Sequence, residues 1–166
     1  MISDIKPKRV LIADDSGTVR SIVKIFIEKR TNLEVCGEAA DGQEAVEKTR
    51  VLRPDLVLLD LSMPKMNGAE AASLIKKSSP SVRIILFTMY SENIGRSLTA
   101  AIGVEAVLSK PDGMAALVKT IGEVLDTPRA PPSPVISTAS SVSATSAEWQ
   151  LDAISFVHLL GRPRSQ

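Results

Sequence analysis

Over the first 127 residues, short β-branched apolar runs alternate with longer segments of helical period, the pattern of a βα repeat and a parallel sheet. Five such units can be counted. The predicted strands are Arg9–Asp14 (RVLIAD), Leu33–Ala39 (LEVCGEA), Leu56–Asp60 (LVLLD), Arg83–Thr88 (RIILFT) and Val104–Ser109 (VEAVLS). Between them Val19, Ile22, Val23 and Phe26 recur at helical spacing, as do Ala45, Val46 and Thr49, then Leu98 and Ile102, then Met114, Leu117, Val118, Ile121 and Leu125. Each set reads as one apolar stripe turned to a sheet. Strands buried on both faces are continuously apolar, whereas edge strands tolerate polar groups. LEVCGEA and VEAVLS therefore read as edges and the other three strands as central. That assignment fits an α/β, doubly wound (βα)5 parallel sheet of order 2-1-3-4-5 with right-handed crossovers; strand character alone leaves other five-stranded orders open.

The pattern breaks after Asp126. Residues 128–147 contain Pro128, Pro131, Pro132, Pro134, six serines and no charge beyond Arg129, the composition of a flexible linker with a root-mean-square span of roughly 25 Å. Residues 148–166 hold a short apolar patch, EWQLDAISFVHLL, in which Trp149, Ala153, Phe156, Val157 and Leu160 share one helical face. The patch has 13 residues, too few for a stable isolated helix. It reads equally as a weak docking element or partner helix and as a largely disordered tail. The expected organisation is thus a domain at 1–127, a linker at 128–147, and a patch with a C-terminal tail at 148–166.

Composition narrows the function classes. The chain has 166 residues, 44% of them hydrophobic, with 20 Lys/Arg against 19 Asp/Glu, so a buried core is expected and disorder throughout is excluded. Residues 1–127 carry 17 basic and 17 acidic residues, and the remainder 3 and 2. Neither part has the basic excess that phosphate-backbone binding needs, so direct DNA binding is not expected. A helix-turn-helix output module requires several helices, which the residues after 127 do not supply. Cys36 is the only cysteine; it reads as a small core residue, with neither a disulfide nor a Cys/His zinc site available. No apolar run approaches the roughly 18 residues of a membrane span, and the start, MISDIKPKRV, lacks the hydrophobic stretch of a secretion signal. A cytoplasmic protein is the expectation.

In an open parallel sheet, ligands bind outside the carboxyl ends of the strands, where the strand order reverses. The predicted strands end in Asp14-Asp15, in Asp60, in Thr88 and in Ser109-Lys110-Pro111. With the first and third strands adjacent, three carboxylates converge while a hydroxyl and an ammonium arrive from the next two strands. Clustered carboxylates repel and either hold protons or recruit a cation. Magnesium suits two or three oxygen ligands plus waters and commonly serves phosphate chemistry. One carboxylate is then available as a nucleophile toward a phosphoryl group, with Lys110 and Thr88 contacting its oxygens.

These residues resemble the receiver domain of two-component response regulators, the CheY-like family, over about residues 8–127. The resemblance is carried by VLIADDS at the first strand, LVLLDLSMPKMNG from Leu56 to Gly68, ILFT ending at Thr88 and LSKP ending at Pro111. It implies a flavodoxin-like fold and a phosphorylatable signalling switch, not an enzyme in the usual sense. It also implies a sensor histidine kinase or histidine phosphotransfer protein as phosphodonor, and an unidentified downstream protein. Carried over by position, Asp60 is the phosphoacceptor. Asp14 and Asp15 match the pair that organises Mg2+, with the backbone carbonyl of Ser62 as a further ligand. Thr88 is the hydroxyl that moves toward the phosphoryl group, and Lys110 is the lysine that pairs with it. A cis Lys110–Pro111 bond is implied as well. The chain departs from the family pattern at Val107, where an aromatic is usual, and at Met89, where a small residue is common; Tyr90 and Ser62 occupy positions that influence phosphoaspartate hydrolysis.

Each residue alone has a plainer reading. Asp15-Ser16 fits a helix N-cap, Thr88 a strand-end hydroxyl, Lys110 a solvated lysine, Gly68 relief of backbone strain in a loop, and His158 a surface residue of the tail. The functional reading rests on four strand ends agreeing. The alternatives are a receiver fold acting purely as a non-phosphorylated interaction module, a phosphatase of the haloacid dehalogenase type, and a nucleotide-binding protein. The phosphatase wants a second aspartate two residues after the nucleophile, where Ser62 stands, and the nucleotide site wants several glycines where DDSGT offers one.

Overall fold

The computed structural model describes residues 6–89 and 100–128. Leu98, Tyr90, His158, the patch Trp149–Leu160 and nearly all of the predicted linker lie outside the described residues. The elements run β1 (Arg9–Ala13), α1 (Gly17–Arg30), β2 (Glu34–Ala39), α2 (Gly42–Leu52), β3 (Leu56–Leu59), α3 (Gly68–Ser78), β4 (Arg83–Thr88), β5 (Ala106–Ser109) and α4 (Gly113–Asp126). Residues 100–102, between β4 and β5, are also helical.

All strand pairs are parallel, and the order is β2-β1-β3-β4-β5, the expected order, with the two strands read as edges at the edges. The reason is visible in the side chains. Every residue of β3 is buried, as are Val10–Ala13 of β1 and Ile84–Thr88 of β4, whereas the edge strand β2 is buried only at Ala39. Alternation divides the central strands between two cores. Leu11, Ala13, Val57, Leu59, Ile84 and Leu86 face α2 and α3, which contribute Ala45, Val46, Ala71, Ala72 and Ile75. Val10, Ile12, Leu56, Leu58, Ile85 and Phe87 face α1 and α4, which contribute Val23, Ile27, Leu117 and Ile121. Fully burying a Leu or Ile is worth roughly 1.5–3 kcal/mol, so the strand interiors carry stability and leave the strand ends free for polar groups.

Helix starts are locally encoded. Ser16 caps α1 by accepting from Val19 N–H, Asp41 caps α2 by accepting from Glu44 N–H, and Asn67 with Glu70 forms a capping box at α3. Several expectations shift. The buried stripe of α1 runs through Val23 and Ile27, leaving Ile22 51% exposed. Cys36 is half-buried at the edge of the α2/α3-side core. No peptide bond among the described residues is cis, so the Lys110–Pro111 bond is trans; Pro111 sits in a 3-10 turn, Lys110–Asp112, where its fixed φ suits the start of a helical segment. The predicted strand from Val104 begins at Ala106. There the Glu105 carboxylate itself accepts from Ile84 N–H at 2.6 Å, replacing a ladder bond.

Candidate functional site

Parallel strands place all their carboxyl ends at one rim of the sheet. The chain runs on from β1 into Asp14, whose N–H donates to the Ala39 carbonyl at 3.1 Å, and from β3 into Asp60, whose N–H donates to the Ala13 carbonyl at 2.8 Å. These backbone bonds extend the sheet by one residue and set the two acids side by side. Asp14 and Asp60 are 3% and 4% exposed, while Asp15 faces solvent. Carboxylate oxygens of the three lie within 4.8 Å of one another.

From the end of β5, Lys110 reaches back into this cluster. Its Nζ is 2.7 Å from Asp14 Oδ2 and 3.2 Å from Asp60 Oδ2. The other carboxylate oxygens are held by the backbone: Ser16 N–H donates to Asp14 Oδ1 at 2.9 Å, and Leu61 N–H to Asp60 Oδ1 at 2.8 Å. Thr88 is buried at the end of β4, in register with Ser109, the residue before Lys110. Ser62 is exposed in the loop after β3, Met89 is 55% exposed just beyond Thr88, and Val107 is half-buried against the α2/α3-side core. The plain reading of Asp15-Ser16 is met in part, since Ser16 is the cap of α1, while the exposed Asp15 keeps a carboxylate oxygen within the cluster.

Burial is the largest influence on Asp60 and pushes its carboxyl above the ordinary aspartate range, against the pull of the Lys110 charge and hydrogen bond. Burial also works against the Lys110 ammonium, but the hydrogen bond to Asp14 and the charge of Asp60 outweigh it and hold the lysine above its usual value. One ammonium thus faces three carboxylates, and the surplus negative charge is what a cation would neutralise. Three close carboxylates are hard oxygen donors, and ligands of an octahedral magnesium at about 2.1 Å lie roughly 3 Å apart when adjacent. The three carboxylate oxygens, within 4.8 Å of one another, already approach that spacing with the donor type the ion prefers, so the residues present fit Mg2+.

The loop between β3 and α3 is fastened to both neighbours. Gly68 N–H donates to the Leu61 carbonyl at 3.0 Å, and a Cβ at Gly68 would lie 2.1 Å from the Asp60 carbonyl oxygen. The expected strain relief at Gly68 is corrected: its φ is not positive, and the glycine serves close backbone approach. Lys65 is the loop residue with positive φ, 63°, and its Nζ sits 2.6 Å from Asp41 Oδ2.

One residue that the strand-end reasoning passed over is Arg20, in the first turn of α1. It donates from Nη1 to the Asp14 carbonyl at 2.7 Å and pairs with Glu38. The available signal was a basic residue in a helix first turn that has no acidic residue, the opposite of what the helix dipole favours.

Comparison with known proteins agrees with this geometry. The family described as response regulator receiver domain matches residues 10–122. The chemotaxis protein CheY of Thermotoga maritima is 37% identical over 117 residues, covering 70% of this chain and 97% of that protein. A protein-glutamate methylesterase/protein-glutamine glutaminase of Pyrococcus abyssi is 42% identical over 92 residues, 55% of this chain. The chain spans only between 25% and 32% of the length of the methylesterases it matches. Among solved structures, the response regulator domain of Thermotoga maritima CheB superposes with a TM-score of 0.68 at 30% identity, covering 75% of this chain and 100% of that one. CheY in the CheX-CheY-BeF3-Mg+2 complex of Borrelia burgdorferi superposes with a TM-score of 0.65 at 30% identity, covering 73% and 91%.

Proposed function

The chain belongs to the response regulator receiver domain family, and from that premise we propose that it is a signalling switch in which Asp60 accepts a phosphoryl group from a phosphohistidine. The donor is a sensor histidine kinase or a histidine phosphotransfer protein. The observation that carries the reading is the buried Asp60 carboxylate, with Asp14, Asp15 and the Lys110 ammonium around it.

In the transfer, an Asp60 carboxylate oxygen attacks phosphorus, the P–O bond forms, the P–N bond of the donor breaks, and the departing imidazole nitrogen takes up a proton. Asp14, Asp15 and Asp60, with the Ser62 carbonyl, would hold Mg2+, which supplies positive charge to the transferring phosphoryl oxygens. Lys110, now shared between Asp14 and Asp60, passes to a phosphoryl oxygen when Asp60 is phosphorylated. Thr88, at the neighbouring strand end, donates its hydroxyl to another. Asp60 starts from a dry position in which its ionised form is penalised; phosphorylation exchanges one carboxylate charge for a phosphoryl group of about two, so the Lys110 ammonium and the cation that Asp14 and Asp15 would hold are needed to offset the added negative charge. Phosphorylation then shifts the population between two states because these new contacts exist only in one.

The domain proposed for this role is residues 1–127, followed by a Pro/Ser-rich linker at 128–147 and the patch and tail at 148–166. The equal basic and acidic counts of residues 1–127 support output through protein contacts, without direct DNA binding; a cytoplasmic location is part of the same proposal. No helix among the described residues is long and apolar enough to cross a membrane.

Incubation with Mg2+ and a small acyl phosphate, followed by intact-protein mass spectrometry, tests the assignment. The wild type is expected to gain one phosphate-sized mass increment, lost in Asp60→Asn. An increment that persists in Asp60→Asn refutes the acceptor. No increment in the wild type favours a pure interaction module, and rapid turnover of unrelated phosphate esters favours a phosphatase.

A further inference from the structure

We propose that Arg20 is a positioning residue that orients the Asp14–Asp15 pair for its divalent cation. The inference rests on the functional reading above and adds a residue to it.

The physical starting point is a misplaced charge. Arg20 lies in the first turn of α1, which holds no acidic residue, at the end of the helix where the dipole disfavours cations. Its side chain folds back over the start of the helix, with Nη2 3.5 Å from where a Cβ of Gly17 would sit. The side chain is 19% exposed, so it is not simply extended into water. Two contacts explain the placement: Nη1 donates to the Asp14 carbonyl at 2.7 Å, and Nε donates to Glu38 Oε2 at 3.3 Å. Glu38, at the edge of the sheet on β2, is also 3.7 Å from Lys24 and offsets the guanidinium charge.

The contacted carbonyl belongs to the peptide that joins Asp14 to Asp15, so its orientation governs the directions in which the two carboxylates diverge. The other polar groups of Asp14 are already fixed: its N–H by the Ala39 carbonyl, Oδ1 by Ser16 N–H and Oδ2 by Lys110. Arg20 supplies the remaining constraint. A planar fork can hold a carbonyl and a carboxylate at once, with little freedom left to lose, which a lysine ammonium on a flexible stem cannot reproduce. Without it, mutually repelling carboxylates relax apart, and the cation must reorder them on binding, at a cost in affinity.

The experiment compares Arg20→Lys, Arg20→Gln and Glu38→Gln with the wild type, using Mg2+ calorimetry and metal-free amide NMR. Arg20→Lys keeps the charge and loses the fork; its Mg2+ dissociation constant is expected to rise about three- to tenfold, the equivalent of one lost hydrogen bond. Arg20→Gln is expected to weaken binding similarly even though it removes a repelling cation. Glu38→Gln keeps the Asp14 contact and is expected to stay within about twofold of wild type. In the metal-free protein, the Asp15 and Ser16 amide signals shift and exchange faster in Arg20→Lys, while signals of the β3 and β4 core stay in place. Unchanged or tighter Mg2+ binding in both arginine variants, or unmoved Asp15 and Ser16 amides, overturns the positioning role. A wild type that binds no Mg2+ overturns the functional reading itself.

Discussion

The tightest packing at the site involves a residue with no side chain. A Cβ on Gly68 would meet the Asp60 carbonyl oxygen at 2.1 Å and the Leu61 Cα at 2.9 Å, both backbone atoms that cannot swing aside. Gly68→Ala must therefore push the first turn of α3 away from the acceptor or distort the peptide after Asp60. Overpacking of this kind costs about 1–3 kcal/mol, and here the displacement falls on the residue proposed to be phosphorylated. The expected outcome is a lowered denaturation midpoint together with slower phosphorylation by a small acyl phosphate; a variant as stable and as fast as wild type would show that the loop has slack. The contrast with Asp60 explains what could be read in advance. Asp14, Asp60 and Lys110 follow apolar strands directly, and in a parallel sheet that alone places them on one rim. The role of Gly68 depends on which backbone approaches it, and Arg20 on how a long side chain folds back, neither of which is written in residue order.

Among the elements, the strands were legible almost to the residue because runs such as LVLL have no competing period. α3 was the least legible helix: its buried positions are Gly68, Ala71, Ala72 and Ile75, and small side chains make a faint hydrophobic period even where they permit close packing on the sheet. The start of β5 moved for a different reason. Glu105 accepts from Ile84 N–H through Oε2 at 2.6 Å and from Lys76 Nζ through Oε1 at 2.8 Å, while Lys76 also donates to the Val82 carbonyl at 2.8 Å. A charged side chain thereby completes the β4–β5 junction and ties it to α3. Glu105→Ala leaves the N–H of Ile84, a fully buried residue, without this acceptor, which costs about 1–3 kcal/mol. Glu105→Gln retains an acceptor oxygen and gives up only the charge, so its loss is expected to be the smaller of the two. Urea denaturation of both variants checks the order; equal losses would mean that the ion pair with Lys76, not the backbone bond, holds the junction.

At the scale of the whole molecule, the two cores stabilise a rim that works against them. Burial raises the carboxyl of Asp60 above its ordinary value even with Lys110 beside it, so in the metal-free protein the ionised side chain is less at ease folded than unfolded. The penalty is complete at pH values above the raised folded value. It shrinks as the pH falls through that value, because the native state then takes up a proton more readily than the unfolded chain, and it is gone below the unfolded value of about 3.9. Asp60→Asn is consequently expected to melt a few degrees higher than wild type in chelator at neutral pH, with the difference narrowing toward pH 4. Added Mg2+ reverses the comparison. A ligand present at ten times its dissociation constant stabilises the folded state by about 1.4 kcal/mol, a gain that the wild type collects in full and that Asp60→Asn, short of one anionic ligand, collects only in part. Thermal melts of both proteins at neutral pH and near pH 4, each with chelator and with Mg2+, test the whole scheme. If Asp60→Asn is no more stable than wild type in chelator at neutral pH, the acidic rim is not under the electrostatic load on which the proposed cation and phosphoryl site rests.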